Sequence, residues 1–309
     1  MLLETFKNIK SNKNFNYSYK ISRLLLPFIL LIILFQKSYI SIQPIKILFI
    51  SGDKKIIFLT VTLSLIICFL LYFRWMLCLN TYNLKIKPLK LIQVNSEAFS
   101  IASLIPAQIG IDLLRIGKLR KIDTSKYKTK LLQATLLEKI FALLGQLFIL
   151  FYFIFSDFKI KLSFILLIII SIYLLLPIFK KYIKINYIKK YIFYINYKNI
   201  YISFFYSIFC NFISCLLIFT IAKGLNMNYS FKILAISSTL SNISSVIPIT
   251  PNGLGLSEFI FSEVIDYTSQ TSNTDSVATI YFSYRIFLLL SHFLIYYIFQ
   301  NFNLKKNKF

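Results

Sequence analysis

Charged residues inside long apolar stretches are the first candidates for chemistry in this chain. Arg285 lies near the middle of an apolar stretch of about 25 residues, and His292, the single histidine, follows on the same helical face. A charge at the centre of a membrane span is costly unless it pairs with an opposite charge or faces a ligand. We expect Arg285 to pair with Glu258 or Glu138, or to bind a phosphate. We interpret His292 as a core residue whose hydrogen bonds are satisfied.

Three further charges lie within or near apolar stretches. Glu138 and Lys139 lie about two turns into one stretch, so Lys139 is expected to extend toward the cytoplasmic surface. Glu138 is expected to pair with an inward-facing basic residue. Arg74 lies near the end of another stretch and is expected to anchor that span at the membrane surface.

Two segments, 91–121 and 231–267, are rich in serine and interrupted by proline and glycine, at Pro106 in the first and Pro248 in the second. The limb before each break has about 15 residues, or about 22 Å of helix, which is too short to cross a hydrocarbon core of about 30 Å. Irregular backbone at membrane depth is tolerated when it is buried in protein or lines a wet cavity. We therefore predict two re-entrant helical hairpins.

Each hairpin is expected to restart as a helix after its break. The first N–H groups of such a helix lack partners and its dipole end is positive, so it can bind a phosphate or a carboxylate. Gly110, Gly253 and Gly255 would let a ligand or a second backbone approach closely. In the alternative interpretation, Asp112 and Glu258 cap these helices themselves and no ligand binds.

Long apolar stretches dominate the rest of the chain, which has 309 residues, 57% of them hydrophobic and 15% charged. Soluble domains are closer to a quarter charged. We predict an all-α integral membrane protein with residues 1–309 in a single membrane domain. The six predicted spans are 22–39, 56–80, 131–155, 162–179, 201–222 and 276–300.

The formal net charge of +24 comes from basic residues between the apolar stretches. That distribution indicates membrane topology rather than binding to nucleic acid. Most of the 35 basic residues fall on one side if both termini are cytoplasmic and if each hairpin enters and leaves on the same side. The sequence thus predicts a multi-pass protein of the inner membrane whose two hairpins open on opposite sides. The polar residues before the first stretch do not resemble a cleavable signal.

An internal repeat is also predicted. Residues 100–106 match residues 242–248 at four of seven positions, and the order of span, span, hairpin and span occurs twice. A unit with three spans inverts the next unit, as in many secondary transporters. The predicted repeats are 22–156 and 162–300, although two serine-rich broken helices can also resemble each other by chance.

No enzyme motif is evident in the sequence. Its four cysteines have no zinc-binding spacing and are interpreted as small buried side chains. A phosphate loop, a cluster of metal ligands and a nucleophile elbow are lacking, so we expect no catalytic residue, metal or cofactor. The cysteines are Cys68, Cys78, Cys210 and Cys215.

Several short motifs, in this order, resemble the lysylphosphatidylglycerol synthase transmembrane region, also called the flippase-like family. The family pattern contains Gly-Glu-x-x-Arg, Glu-Arg, Pro-Gly-Gly-x-Gly-x-x-Glu and a late intramembrane arginine. This chain differs at Asp112, Lys139, Asn252 and Ser257, and no soluble aminoacyl-transferase domain is expected after Gln300. The matching segments are 110–115, 137–139, 251–258 and 284–285.

The resemblance implies translocation or binding of an anionic phospholipid or of a polyprenyl-linked lipid. The candidate headgroup site contains Arg285, Gly110, Asp112, Arg115, Glu138, Gly253, Gly255 and Glu258. The expected partners are anionic membrane lipids. In the alternative function, the chain is an accessory subunit of a lipid- or glycosyl-transferase and transports nothing itself; its basic loop 115–130 would then contact the partner or the anionic leaflet.

Overall fold

All regular secondary structure in the described part of the chain is helical. The computed structural model describes residues 40–102, 108–120, 128–155, 197–246, 250, 253–269 and 277–306, besides residues 32 and 36. Nine helices lie within these ranges. They are α1 (Ile42–Ser51), α2 (Lys54–Thr81), α3 (Pro88–Ala102), α4 (Gln108–Arg120), α5 (Lys128–Ile154), α6 (Tyr197–Gly224), α7 (Phe231–Ser244), α8 (Leu256–Ser269) and α9 (Ala278–Lys306).

Four of these helices, α2, α5, α6 and α9, are long and apolar enough to cross a membrane. They coincide with the predicted spans 56–80, 131–155, 201–222 and 276–300, which are thereby confirmed as helices of sufficient length. The predicted span 162–179 lies outside the described residues, and so does 22–39 apart from residues 32 and 36.

The long helices expose apolar side chains and bury polar ones, the reverse of a soluble protein. Phe58 on α2 is 74% exposed and Leu136 on α5 is 63% exposed, whereas Arg115 and Glu138 are each 1% exposed. Exposed apolar surface of this extent is what a hydrocarbon environment requires. Other exposed apolar residues on the spans are Ile140, Phe205, Phe209, Leu290, Leu294 and Tyr297.

The two interrupted segments form helix–break–helix units. Helices α3 and α4 have 15 and 13 residues, and α7 and α8 have 14 each, so no limb is long enough to span by itself. The limbs pack against each other within each unit. Pro106 and Pro248 lie outside the described residues. The break is thus observed as two separate short helices, while re-entry into the membrane stays a prediction.

Serine and threonine side chains make helix α7 compatible with burial. Ser237 and Ser241, each fully buried, donate to the carbonyls of Ile233 and Ser237 at 2.8 and 2.7 Å. These bonds satisfy the hydroxyls within their own helix. Because the side chains are small, α5, α6 and α8 can pack closely around α7.

The helices of the two predicted repeats have similar lengths and reciprocal packing. Helices α2 and α6 have 28 residues each, and each is followed by an asparagine with positive φ, Asn83 and Asn226. Helix α5 packs against α7, and α9 packs against α3, so the last span of each half contacts the hairpin of the other half. Helices α2 and α6 pack directly together. This pattern favours the predicted inverted repeat.

Candidate functional site

A cavity of about 470 Å³ lies between the four long helices and the two hairpins. One part of its wall is aliphatic and includes Ile67, Leu71, Leu288 and Leu289. The other part is polar and carries most of the buried charge. Its polar lining residues are Arg74, Arg115, Glu138, Lys139, Gln146, Asn211, Ser214, Asn242, Tyr281, Arg285 and His292.

Glu138 on α5 binds two arginines from two other helices. Its Oε1 accepts from Arg74 Nη2 of α2 at 3.0 Å, and its Oε2 accepts from Arg115 Nη1 of α4 at 2.8 Å. All three side chains are less than a tenth exposed. Charge-assisted bonds of this kind offset the cost of burying the ions. Glu138 therefore ties α2, α4 and α5 together at the cavity wall.

Aromatic rings hold the Arg115 guanidinium. Its Cζ lies 5.0 Å from the centroid of Trp75 and 4.8 Å from that of Phe99, both within range of a cation–π interaction. Phe99 stacks on His292 with centroids 4.3 Å apart. The hydroxyl of Tyr72 lies 2.7 Å from His292 Nδ1, and one of the two groups donates to the other. His292 is buried and hydrogen-bonded, as predicted from its position.

Lys139, next to Glu138, pairs with the hairpin helix α4. Its Nζ lies 3.3 Å from Asp112 Oδ2, and Asp112 Oδ1 lies 3.7 Å from Arg115 Nη1. The ammonium group therefore faces the cavity and the neighbouring helix, and the expectation that Lys139 extends to the cytoplasmic surface is wrong. Asp112 lies within α4 at its fifth residue, one contact behind the cavity wall.

Arg285 on α9 pairs with the first turn of helix α8. Its Nε lies 3.2 Å from Glu258 Oε1, and its Cζ lies 5.3 Å from the ring centroid of Tyr281. The expected pairing of Arg285 with Glu258 is thus confirmed. Glu258 Oε2 also accepts from the backbone N–H of Gly255 at 2.8 Å, so Glu258 caps its own helix as the alternative interpretation proposed.

The glycines of the candidate site lie around the cavity rather than on its wall. Gly253 and Gly255 have φ values of +71° and +77°, which favour glycine. A Cβ on Gly253 would lie 2.8 Å from the Cα of Ser245, so this glycine permits close approach of the two sides of the break. Gly110 lies within helix α4.

The charges around the cavity do not cancel among the residues that the structure describes. The cations are Arg74, Arg115, Lys139 and Arg285, and the carboxylates that pair with them are Asp112, Glu138 and Glu258. One positive charge is left in excess. A wall that is aliphatic on one side and cationic on the other suits a ligand with an apolar part and an anionic part.

Sequence reasoning missed three contributors to this site. Arg74 is 6% exposed and binds Glu138, so the expectation that it anchors its span at the membrane surface is wrong. Gln146 and Asn211 also line the cavity. Gln146 follows Lys139 by seven residues on the same face of α5, and this spacing was the available signal. The four cysteines are buried and free, as expected.

The apolar exterior, the four long helices and the buried ionic cavity define a polytopic helical membrane protein with an internal polar site. Residues 21–295 match the family model of the lysylphosphatidylglycerol synthase TM region. This match covers most of the 309 residues, and the chain therefore belongs to that family. Neither a curated protein nor a solved structure matches it.

Proposed function

We propose that this protein binds an anionic phospholipid or a polyprenyl-linked lipid in the cavity and carries its headgroup across the inner membrane. The observation that carries the proposal is the excess positive charge on the wall of a cavity enclosed by four candidate spans. An anionic headgroup would neutralise that charge in a setting of low dielectric constant, where the attraction is strong. Both termini lie in the cytoplasm in this proposal.

The remainder of the cavity supports an amphiphilic ligand. Its aliphatic wall would accept the first part of the acyl or prenyl chain, while the rest of that chain stays in the bilayer. Tyr281, which donates to Asn242 Oδ1 at 2.8 Å, and Ser214 offer hydroxyl groups beside the cations. The two hairpins would form the path of the headgroup, since their limbs contribute Arg115 and Asn242 to its wall.

Purified protein in liposomes tests the proposal. A fluorescent anionic phospholipid placed in both leaflets should become fully accessible to an external quencher, and a zwitterionic analogue should move more slowly. Native mass spectrometry of the purified protein should show a co-purified anionic lipid. The matched control is Lys118→Gln on α4, which removes a cation that pairs with Glu97 and lies outside the cavity lining.

Two results would contradict the proposal in different ways. Binding of an anionic lipid without any movement in liposomes would favour the accessory subunit of a lipid- or glycosyl-transferase. Equal behaviour of anionic and zwitterionic lipids would show that the cationic wall does not select the headgroup.

A further inference from the structure

Two ion pairs at the cavity occupy equivalent places in the chain. Lys139 pairs with Asp112, and Arg285 pairs with Glu258. Both members of the second pair follow their counterparts by 146 residues, so the carboxylate precedes the cation by the same 27 residues in each pair. The N···O distances are also similar, 3.3 and 3.2 Å.

The two pairs also join equivalent helices. In each predicted repeat, the cation lies on the last span, α5 or α9, and the carboxylate lies on the second limb of the preceding hairpin, α4 or α8. Both cations line the cavity, whereas neither carboxylate is among its lining residues. Each pair thus presents a positive charge to the cavity and neutralises it from behind.

The pairs lie at different levels of the cavity. Asp112 lies beside Arg115, which contacts Phe99, and Phe99 stacks on His292. His292 follows Arg285 by seven residues on α9, which is about 10 Å of helix. The first pair is therefore near the His292 level, and the second lies near Arg285, closer to the start of α9.

The surroundings of the two pairs differ in charge. Arg74 and Arg115 share one carboxylate, Glu138, so the excess positive charge lies beside Lys139 and Asp112. Around Arg285, the described partner Glu258 balances the charge. The two places are thus equivalent in position and unequal in their attraction for an anion.

We infer that the cavity holds two anion-binding stations, one at Lys139–Asp112 and one at Arg285–Glu258, which a phosphate-bearing headgroup occupies in turn. This inference rests on the proposed function for its ligand. The first station binds more tightly because of the neighbouring excess charge. At each station the phosphate shares the cation with its carboxylate, so the cation stays neutralised when the headgroup leaves.

Pair-neutral variants test the stations without changing the net charge. They are Asp112→Asn with Lys139→Gln, and Glu258→Gln with Arg285→Gln. The control is Glu97→Gln with Lys118→Gln, an ion pair between α3 and α4 whose residues do not line the cavity. Variants with the carboxylate and the cation exchanged keep each ion pair and serve where a neutral pair fails to fold.

The first measurement is isothermal titration of the solubilised protein with glycerol 3-phosphate. Wild type and control should show two sites, and each station variant should lose one, the tighter one in the Asp112/Lys139 variant. A single site in wild type, or the loss of both sites in either variant, would overturn the inference.

The second measurement is the translocation of a fluorescent anionic phospholipid. Each station variant should be at least tenfold slower than wild type, and the combined variant no more than about twofold slower again, because successive steps limit the rate one at a time. Multiplied losses would indicate a single joint site and overturn the inference. Two phosphate sites in a wild type that moves no lipid would overturn the proposed function and leave the stations standing.

Discussion

Arg285 is stabilised both by the carboxylate of Glu258 and by the ring of Tyr281. Replacement by glutamine removes the charge and leaves Glu258 buried with the N–H of Gly255 as its described partner, so we expect a loss of about 3 kcal/mol in unfolding free energy. Replacement by lysine keeps the charge but loses the planar fork, and should preserve most stability while weakening lipid binding. Thermal unfolding and lipid co-purification measure the two effects.

The comparison of the two Arg285 variants is informative because it separates structure from binding. If both variants have wild-type stability and wild-type lipid content, Arg285 is neither a structural partner of Glu258 nor a headgroup ligand.

Glu138 accepts from two buried arginines, so its neutralisation should be the more damaging change. In Glu138→Gln, Arg74 and Arg115 lose their shared carboxylate, and we expect a loss of about 3–5 kcal/mol in unfolding free energy. The matched control, Glu97→Gln, breaks the partly exposed pair with Lys118 and should cost less than about 1 kcal/mol. Equal unfolding temperatures for the two variants would contradict the structural role given to Glu138.

At the scale of the helices, Gly145 determines how closely α5 approaches α6. A Cβ at this position would lie 2.9 Å from the backbone carbon of Ser207 and 2.9 Å from Asn211 Nδ2. We expect Gly145→Ala to cost about 1–3 kcal/mol, since the two backbones must separate to admit a methyl group. Thermal unfolding in detergent measures it.

Gly117 on α4 provides the control for this prediction. No atom lies within 4 Å of a Cβ built there, so Gly117→Ala should be neutral or should stabilise the helix by about 0.5–1 kcal/mol. An unfolding temperature that is unchanged in Gly145→Ala would show that α5 and α6 are not in such close contact.

At the scale of the whole molecule, the distribution of basic residues predicts the orientation. Helix α2 begins at Lys54 and is followed by Lys85, and both side chains are exposed. With cytoplasmic termini, Lys54 is external and Lys85 is cytoplasmic. In intact cells, an impermeant thiol reagent should label Lys54→Cys and should not label Lys85→Cys.

The native cysteines do not complicate this experiment, because all four are buried. Labelling of both positions after the cells are permeabilised is the control. Labelling of Lys85→Cys alone in intact cells would reverse the topology and contradict the cytoplasmic location of the termini.

The length and composition of the apolar stretches were sufficient to predict the long helices. A stretch such as 201–222 has no stable conformation in a bilayer other than one that satisfies its own backbone, so its helix follows from local sequence. The same holds for the breaks between α3 and α4 and between α7 and α8, since proline and glycine interrupt a helix wherever it lies. The pairing of Arg285 with Glu258 was one of the alternatives that this reasoning identified.

The partners of Arg74 and Lys139 were decided by tertiary structure. Sequence position placed both near the membrane surface, where a long basic side chain can reach water. In the folded protein, the packing of α2, α4 and α5 brings Glu138 and Asp112 within ion-pair distance of these cations. The direction of a helical side chain is set by the rotation of its helix against its neighbours. That rotation depends on contacts such as the one at Gly145, between residues far apart in the chain.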